Sequence, residues 1–119
     1  MNHNQKLGRQ GEKLAEDELI KKGYLILEHH YLKRVGEIDL IAFDPKANEI
    51  VFVEVKARRT KTFGHPEEAV NEKKLKRIER AALTWLEENE KLDNPWRIDI
   101  ISISVSPYID ILHFENVTL

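Results

Sequence analysis

Two apolar runs carry charge where a buried strand should carry none. They are Gly36-Glu37-Ile38-Asp39-Leu40-Ile41-Ala42 and Val51-Phe52-Val53-Glu54-Val55-Lys56. The polar link Asp44-Pro45-Lys46-Ala47-Asn48-Glu49 between them is short enough to close an antiparallel hairpin. Side chains two apart on a strand share a face, so Glu37 goes with Asp39 and Glu54 with Lys56. With Phe43 facing Ile50, Asp39 falls opposite Glu54 and Glu37 opposite Lys56. Glu37–Lys56 can be a cross-strand ion pair, but Asp39 against Glu54 cannot, because opposed like charges destabilise a sheet. The other face, with Ile38, Leu40 and Ala42 beside Val51, Val53, Val55 and Ala57, is a plain hydrophobic layer. Carboxylates on such a hairpin are partly desolvated, which is costly unless they are paired or bind metal. The expectation is a divalent-metal cluster with a lysine beside it.

The remaining sequence narrows the setting. A length of 119 residues fits one domain, 1–119, and the lack of cysteine excludes disulfides and thiolate metal sites. The polar start, Met1 to Lys6, leads into no apolar signal core, and no run approaches the ~18 apolar residues of a membrane span. A soluble, cytoplasmic protein with no membrane partner is expected. Charged residues are 34% of the chain, yet the net charge is −2, so any nucleic-acid contact must come from a local basic patch.

Periodicity predicts the order α-β-β-β-α-β-β. A helix is expected over Gly8–Lys22, with Leu14, Ala15, Glu18 and Leu19 on one stripe and Gly23 ending it. Glu12 borders that stripe, and Gly8-x-x-Gly11 allows close backbone approach there. Tyr24–Tyr31 reads as a strand, then come the hairpin strands and a polar loop, Arg58–Pro66. A long helix from about Glu67 to Asn89 buries Leu75, Ile78, Ala82, Trp85 and Leu86 and carries the basic ridge Lys73, Lys76, Arg77 and Arg80. Arg97–Val105 reads as a strand buried on both faces, ended by Ser106-Pro107, and Tyr108–Phe114 as a closing edge strand.

Other chemistries find little support. The five histidines lack zinc-ligand spacing, and His29 and His30, adjacent on a strand, should point opposite ways. His65, in the loop after Lys56, is within reach of a substrate. No phosphate-binding glycine loop, nucleophile triad or aromatic stacking platform is present. Basic residues gather at Arg58-Arg59-Lys61 and at Lys73-Lys74-Lys76-Arg77-Arg80. The first group continues directly from Glu54-Val55-Lys56, where the neighbours of a scissile phosphate would lie.

Taken together, Gly8–Ala15 (GRQGEKLA), Gly36–Ile41 (GEIDLI), Val51–Arg58 (VFVEVKAR), Phe63–Val70 with Lys74, Arg97–Ile101 and His113–Asn116 resemble the YraN family of small bacterial proteins. The resemblance covers nearly the whole chain. It implies a restriction-endonuclease-like α/β fold, a central mixed β-sheet flanked by helices, close to the archaeal Holliday junction resolvases. It also implies a PD-(D/E)xK-type site: Asp39 and Glu54 the acids, Lys56 the lysine, Glu12 the helix acid of the resolvase branch, and Glu37 an added carboxylate. Ile38 replaces the proline of the motif, while Leu32 and His30 stand where arginine and asparagine are expected.

The expected activity is metal-dependent hydrolysis of DNA phosphodiesters, branched or structured DNA being the expected substrate. Asp39, Glu54 and the Val55 carbonyl are the expected ligands of Mg²⁺ or Mn²⁺, and Glu12, Asp39, Glu54 and Lys56 form the catalytic set. Arg58, Arg59, Lys73, Lys74 and Arg77 are the expected nucleic-acid contacts, and a homodimer is expected by analogy with the resolvases. The alternative is a non-catalytic nucleic-acid-binding or scaffold protein that keeps the acidic cluster on a nuclease fold.

Overall fold

Residues 2–60 and 71–118 are described in this computed structural model of the protein. The element order is α1 (His3–Lys21), β1 (Leu25–Lys33), β2 (Gly36–Asp44), β3 (Glu49–Arg58), α2 (Glu72–Glu88), β4 (Trp96–Ser104) and β5 (Asp110–Phe114). The strands form a mixed sheet in the order β1-β2-β3-β4-β5, antiparallel except for the parallel pair β3–β4 that α2 connects. This is the expected α/β architecture.

α1 starts earlier than periodicity predicts, at His3, because Asn2 and Gln5 form a capping box. Asn2 Oδ1 accepts the Gln5 N–H at 2.8 Å, and Gln5 Oε1 accepts the Asn2 N–H at 3.1 Å. It ends in a Schellman turn at Gly23, whose φ of +91° suits glycine, with the Tyr24 N–H donating to the Leu19 carbonyl at 2.9 Å. Asn71 caps α2 by accepting the Lys74 N–H at 2.9 Å. The described part of this helix begins at Glu72; the predicted start near Glu67, Lys61 and the His65 loop lie outside the described residues.

The helices cover opposite faces of the sheet. Ala15 and Leu19 of α1 are buried against Leu40, Ala42, Val51, Val53, Ile101 and Ile103. The α2 stripe, Leu75, Ile78, Ala82, Trp85 and Leu86, is buried against Ile41, Ile50, Phe52 and Ile98. Alternate residues of β3 thus feed two cores, so this strand is apolar on both faces. Glu54 follows Phe52 on the α2 side, and Val55 follows Val53 on the α1 side.

Candidate functional site

The β2–β3 ladder keeps the predicted register, Phe43 against Ile50, but ends at Leu40–Val53. Past that point β3 stays with β4, Glu54 beside Ile100 and Lys56 beside Ser102, while β2 stays with β1, Glu37 beside Leu32. The strands diverge, and the predicted Glu37–Lys56 apposition is not made. Asp39 spans the opening: its Oδ2 accepts the Val55 N–H at 2.8 Å, replacing a ladder hydrogen bond with one from a side chain.

The pleat also breaks at this level. Ile38 joins the α2 core and Leu40 the α1 core, although residues two apart on a regular strand share a face, so the single apolar face expected to include Ile38 is not continuous. His30, between His29 (opposite Leu40) and Tyr31 (opposite Ile38), has a left-handed φ of +48°. As a result His29 and His30 do not point apart. His29 Nε2 lies 3.1 Å from Glu16 Oε1, and His30 Nε2 lies 2.6 Å from Glu12 Oε2. Both reach α1, where Glu12 and Glu16 are one turn apart. Glu12 is therefore held by a histidine that periodicity alone could not place, because the reading assumed an unbroken strand.

The electrostatics follow from crowding of like charge. Asp39 is pushed up to about 7, chiefly by burial, then by the carboxylate of Glu54, with smaller contributions from Glu12 and Glu37 against the Val55 hydrogen bond. Glu12 is also raised, by burial first and by Glu37 and Glu54, while His30 opposes the shift. Glu54 is only 5% exposed and pairs with Lys74, whose Nζ lies 2.9 Å from Glu54 Oε1. Against the opposing effect of burial, Glu54, Asp39 and Glu37 hold the Lys74 ammonium above the usual lysine range. Lys74, expected as a nucleic-acid contact, is instead turned toward the acidic cluster.

Two clefts meet at this cluster and share Asp39, Glu54 and Lys74 as their common wall. One, of about 350 Å³, is also lined by Glu12, Val55 and Lys56 and by the first turns of α1. The other, of about 520 Å³, is lined by Glu37, Lys33, Lys73 and Arg77. All four predicted catalytic residues thus face one cleft, and three of the predicted nucleic-acid contacts, Lys73, Lys74 and Arg77, face its neighbour. Arg58, the last residue of β3, and Arg59 line neither. The donors are hard oxygens, the chemistry Mg²⁺ and Mn²⁺ take. In this conformation no three Asp, Glu or His side chains among the described residues converge closely enough to hold a metal ion. The reason is visible in the contacts: Glu12 is turned to His30, Glu54 to Lys74, and Asp39 to the Val55 N–H.

Comparison with known proteins places the chain in a family. The sequence model of the Uncharacterised protein family UPF0102 matches residues 11–103. The chain belongs to the UPF0102 family. A UPF0102 protein of Geobacter metallireducens is 47% identical over 115 residues, 96% of this chain and 93% of the relative. A UPF0102 protein of Alkaliphilus oremlandii is 43% identical over 116 residues, 95% of this chain and 97% of that one. The YraN resemblance is thereby established as family membership.

Two glycines set how closely the helices of this UPF0102 protein approach the cluster. A Cβ on Gly11 would stand 2.6 Å from Ala57 Cβ, and a Cβ on Gly36 would stand 2.5 Å from the Arg77 carbonyl oxygen. Each glycine directly precedes a cluster carboxylate, Glu12 or Glu37, so close helix–strand contact positions both. At the far end of the sheet is a second charged group, which strand patterning did not reveal. Arg97, 5% exposed, donates to Asp99, Asp44, Glu49 and the Tyr24 hydroxyl at 2.7–3.3 Å. His113 Nε2 lies 2.7 Å from Asp99 Oδ2, and Lys22 Nζ 3.0 Å from His113 Nδ1. The ring therefore donates at Nε2 and accepts at Nδ1. Among the described residues no buried side-chain donor or acceptor is left without a partner, and this group is a satisfied structural lock.

Proposed function

We propose that this UPF0102 protein is a metal-dependent phosphodiesterase acting on DNA. The observation that carries the reading is the cluster of Glu12, Glu37, Asp39 and Glu54 at a strand divergence, with Asp39 driven up to about 7 beside a cleft lined by lysine and arginine. So much like charge in one place is costly to the fold, and a divalent cation relieves it. Asp39, Glu54 and the Val55 carbonyl are the groups that would hold Mg²⁺ or Mn²⁺. Bound there, the cation supplies a water of lowered pKa and withdraws charge from a phosphate.

The chain's own groups do the rest. Lys56 faces the same cleft as the acids, where its ammonium orients the attacking water or offsets charge gathering on the phosphate. Glu12 takes or gives a proton at its carboxyl, or adds an oxygen to the metal shell. Lys73 and Arg77 bind backbone phosphates in the adjoining cleft, fixing the strand without reading sequence. Arg58 and Arg59 extend that contact from the end of β3. Two copies acting as a dimer would cut two strands of a branched substrate.

A second reading, a nucleic-acid-binding protein without catalysis, is favoured by one observation: Glu12, Asp39 and Glu54 each already have a protein partner in this conformation. The test is incubation with linear, nicked, flapped and four-way DNA, with and without Mn²⁺, alongside Lys56→Ala. Mn²⁺-dependent cleavage by the wild type that Lys56→Ala lacks supports the enzyme. Salt-sensitive binding without cleavage of any form supports the second reading.

A further inference from the structure

We infer that Lys74 is a built-in counter-ion that occupies the cation position of the acidic cluster, and that a divalent metal must displace it to bind. The inference rests on the site reading above. Lys74 lies in the first turn of α2, its backbone N–H fixed by the Asn71 cap at 2.9 Å, so the side chain leaves the helix from a set point. Its ammonium sits 2.9 Å from Glu54 Oε1, and Glu54 is among the few buried carboxylates of the described residues. Asp39 and Glu37 line the same cleft as this ammonium and add to the field that favours its charge. Two positive charges do not share one carboxylate cheaply at this depth. Entry of a metal at Glu54 therefore expels the lysine. The lysine has somewhere to go, because it stands on the wall between the acid-lined cleft and the one that holds Lys73 and Arg77. Displaced, it joins those two as a phosphate contact. Metal and nucleic acid then favour one another: the metal frees a cation for the phosphates, and phosphates that hold this cation leave Glu54 open to metal. Linkage requires the two effects to be equal.

The test is calorimetric titration of Mn²⁺ into the metal-free wild type, Lys74→Gln, Lys74→Arg and Asp39→Asn, with no substrate present. Removing a competing ion pair should make Lys74→Gln bind Mn²⁺ on the order of fivefold more tightly, while Lys74→Arg keeps the wild-type affinity. Side-chain ¹⁵N NMR of the wild type should show the Lys74 ammonium signal shifting on addition of Mg²⁺. Unchanged or weaker Mn²⁺ binding by Lys74→Gln overturns the inference and leaves the site reading intact, provided Asp39→Asn has lost the metal. Wild type that binds no Mn²⁺ overturns both. Folding is monitored by melting temperature in each variant, and Lys74, on the surface of α2, is replaceable without a core change.

Discussion

Replacing Asp39 by asparagine should stabilise the metal-free protein. Burial and three neighbouring carboxylates lift this aspartate from an ordinary 3.8 to about 7. At about 1.4 kcal/mol per pH unit, that displacement is worth about 4 kcal/mol of opposition to the charged form. Solvent reaches part of the side chain, and screening reduces the usable figure to about 2 kcal/mol. Asparagine keeps an oxygen to accept the Val55 N–H, so the bridge between the diverging strands survives. The sign depends on pH. Because the folded-state value is raised, the native state binds more protons than the unfolded state between about 4 and 7, and wild-type stability falls as pH rises through that window. The cost is fully present above about 7 and absent below about 4. Urea unfolding at pH 8 should therefore show Asp39→Asn more stable by about 2 kcal/mol, roughly 8 °C in Tm. At pH 5 the advantage should shrink to less than half. A destabilised variant at pH 8, or an advantage independent of pH, would refute the charge-crowding account.

The other expectations are more local. Arg97→Met leaves Asp99 and Asp44 buried without their cation, and should cost 3–5 kcal/mol of the order seen for broken buried pairs, measured by denaturant unfolding. Gly11→Ala should lose about 1–3 kcal/mol by overpacking against Ala57, more than the ~1 kcal/mol gained in helix propensity, and Ala57→Gly in the same chain should recover part of it. Gly36→Ala meets a backbone carbonyl instead of a methyl group and should admit no such recovery by any side-chain change. Neutralising Lys73 or Arg77 should each flatten the salt dependence of DNA binding by about one in slope, whereas Lys56→Ala should leave it unchanged.

The sequence was most legible where periodicity runs unbroken. The element order, the hairpin register and the α2 stripe all follow from apolar spacing, and the acids announced themselves by interrupting it. What stayed hidden depended on departures from that spacing. The left-handed backbone at His30 turned two adjacent histidines onto one helix, which no alternation rule predicts. The β2–β3 divergence was hidden too, because it arises from a competition: β4 holds one strand and β1 the other. Lys74 looked like one more cation on a basic helix, since its reach toward Glu54 is set by where the helix starts relative to the sheet. The Asn2–Gln5 capping box, by contrast, was readable from residue types alone and would have placed the start of α1 correctly.

The most direct measurement of the central claim is Mn²⁺ titration of the wild type against Asp39→Asn and Glu54→Gln, followed by calorimetry and by the metal-dependent rise in Tm. The account predicts saturable binding and a rise in Tm for the wild type, both lost in either variant even though the variants themselves remain folded. Binding and stabilisation that persist undiminished in both variants would show that this acidic cluster is not the metal site.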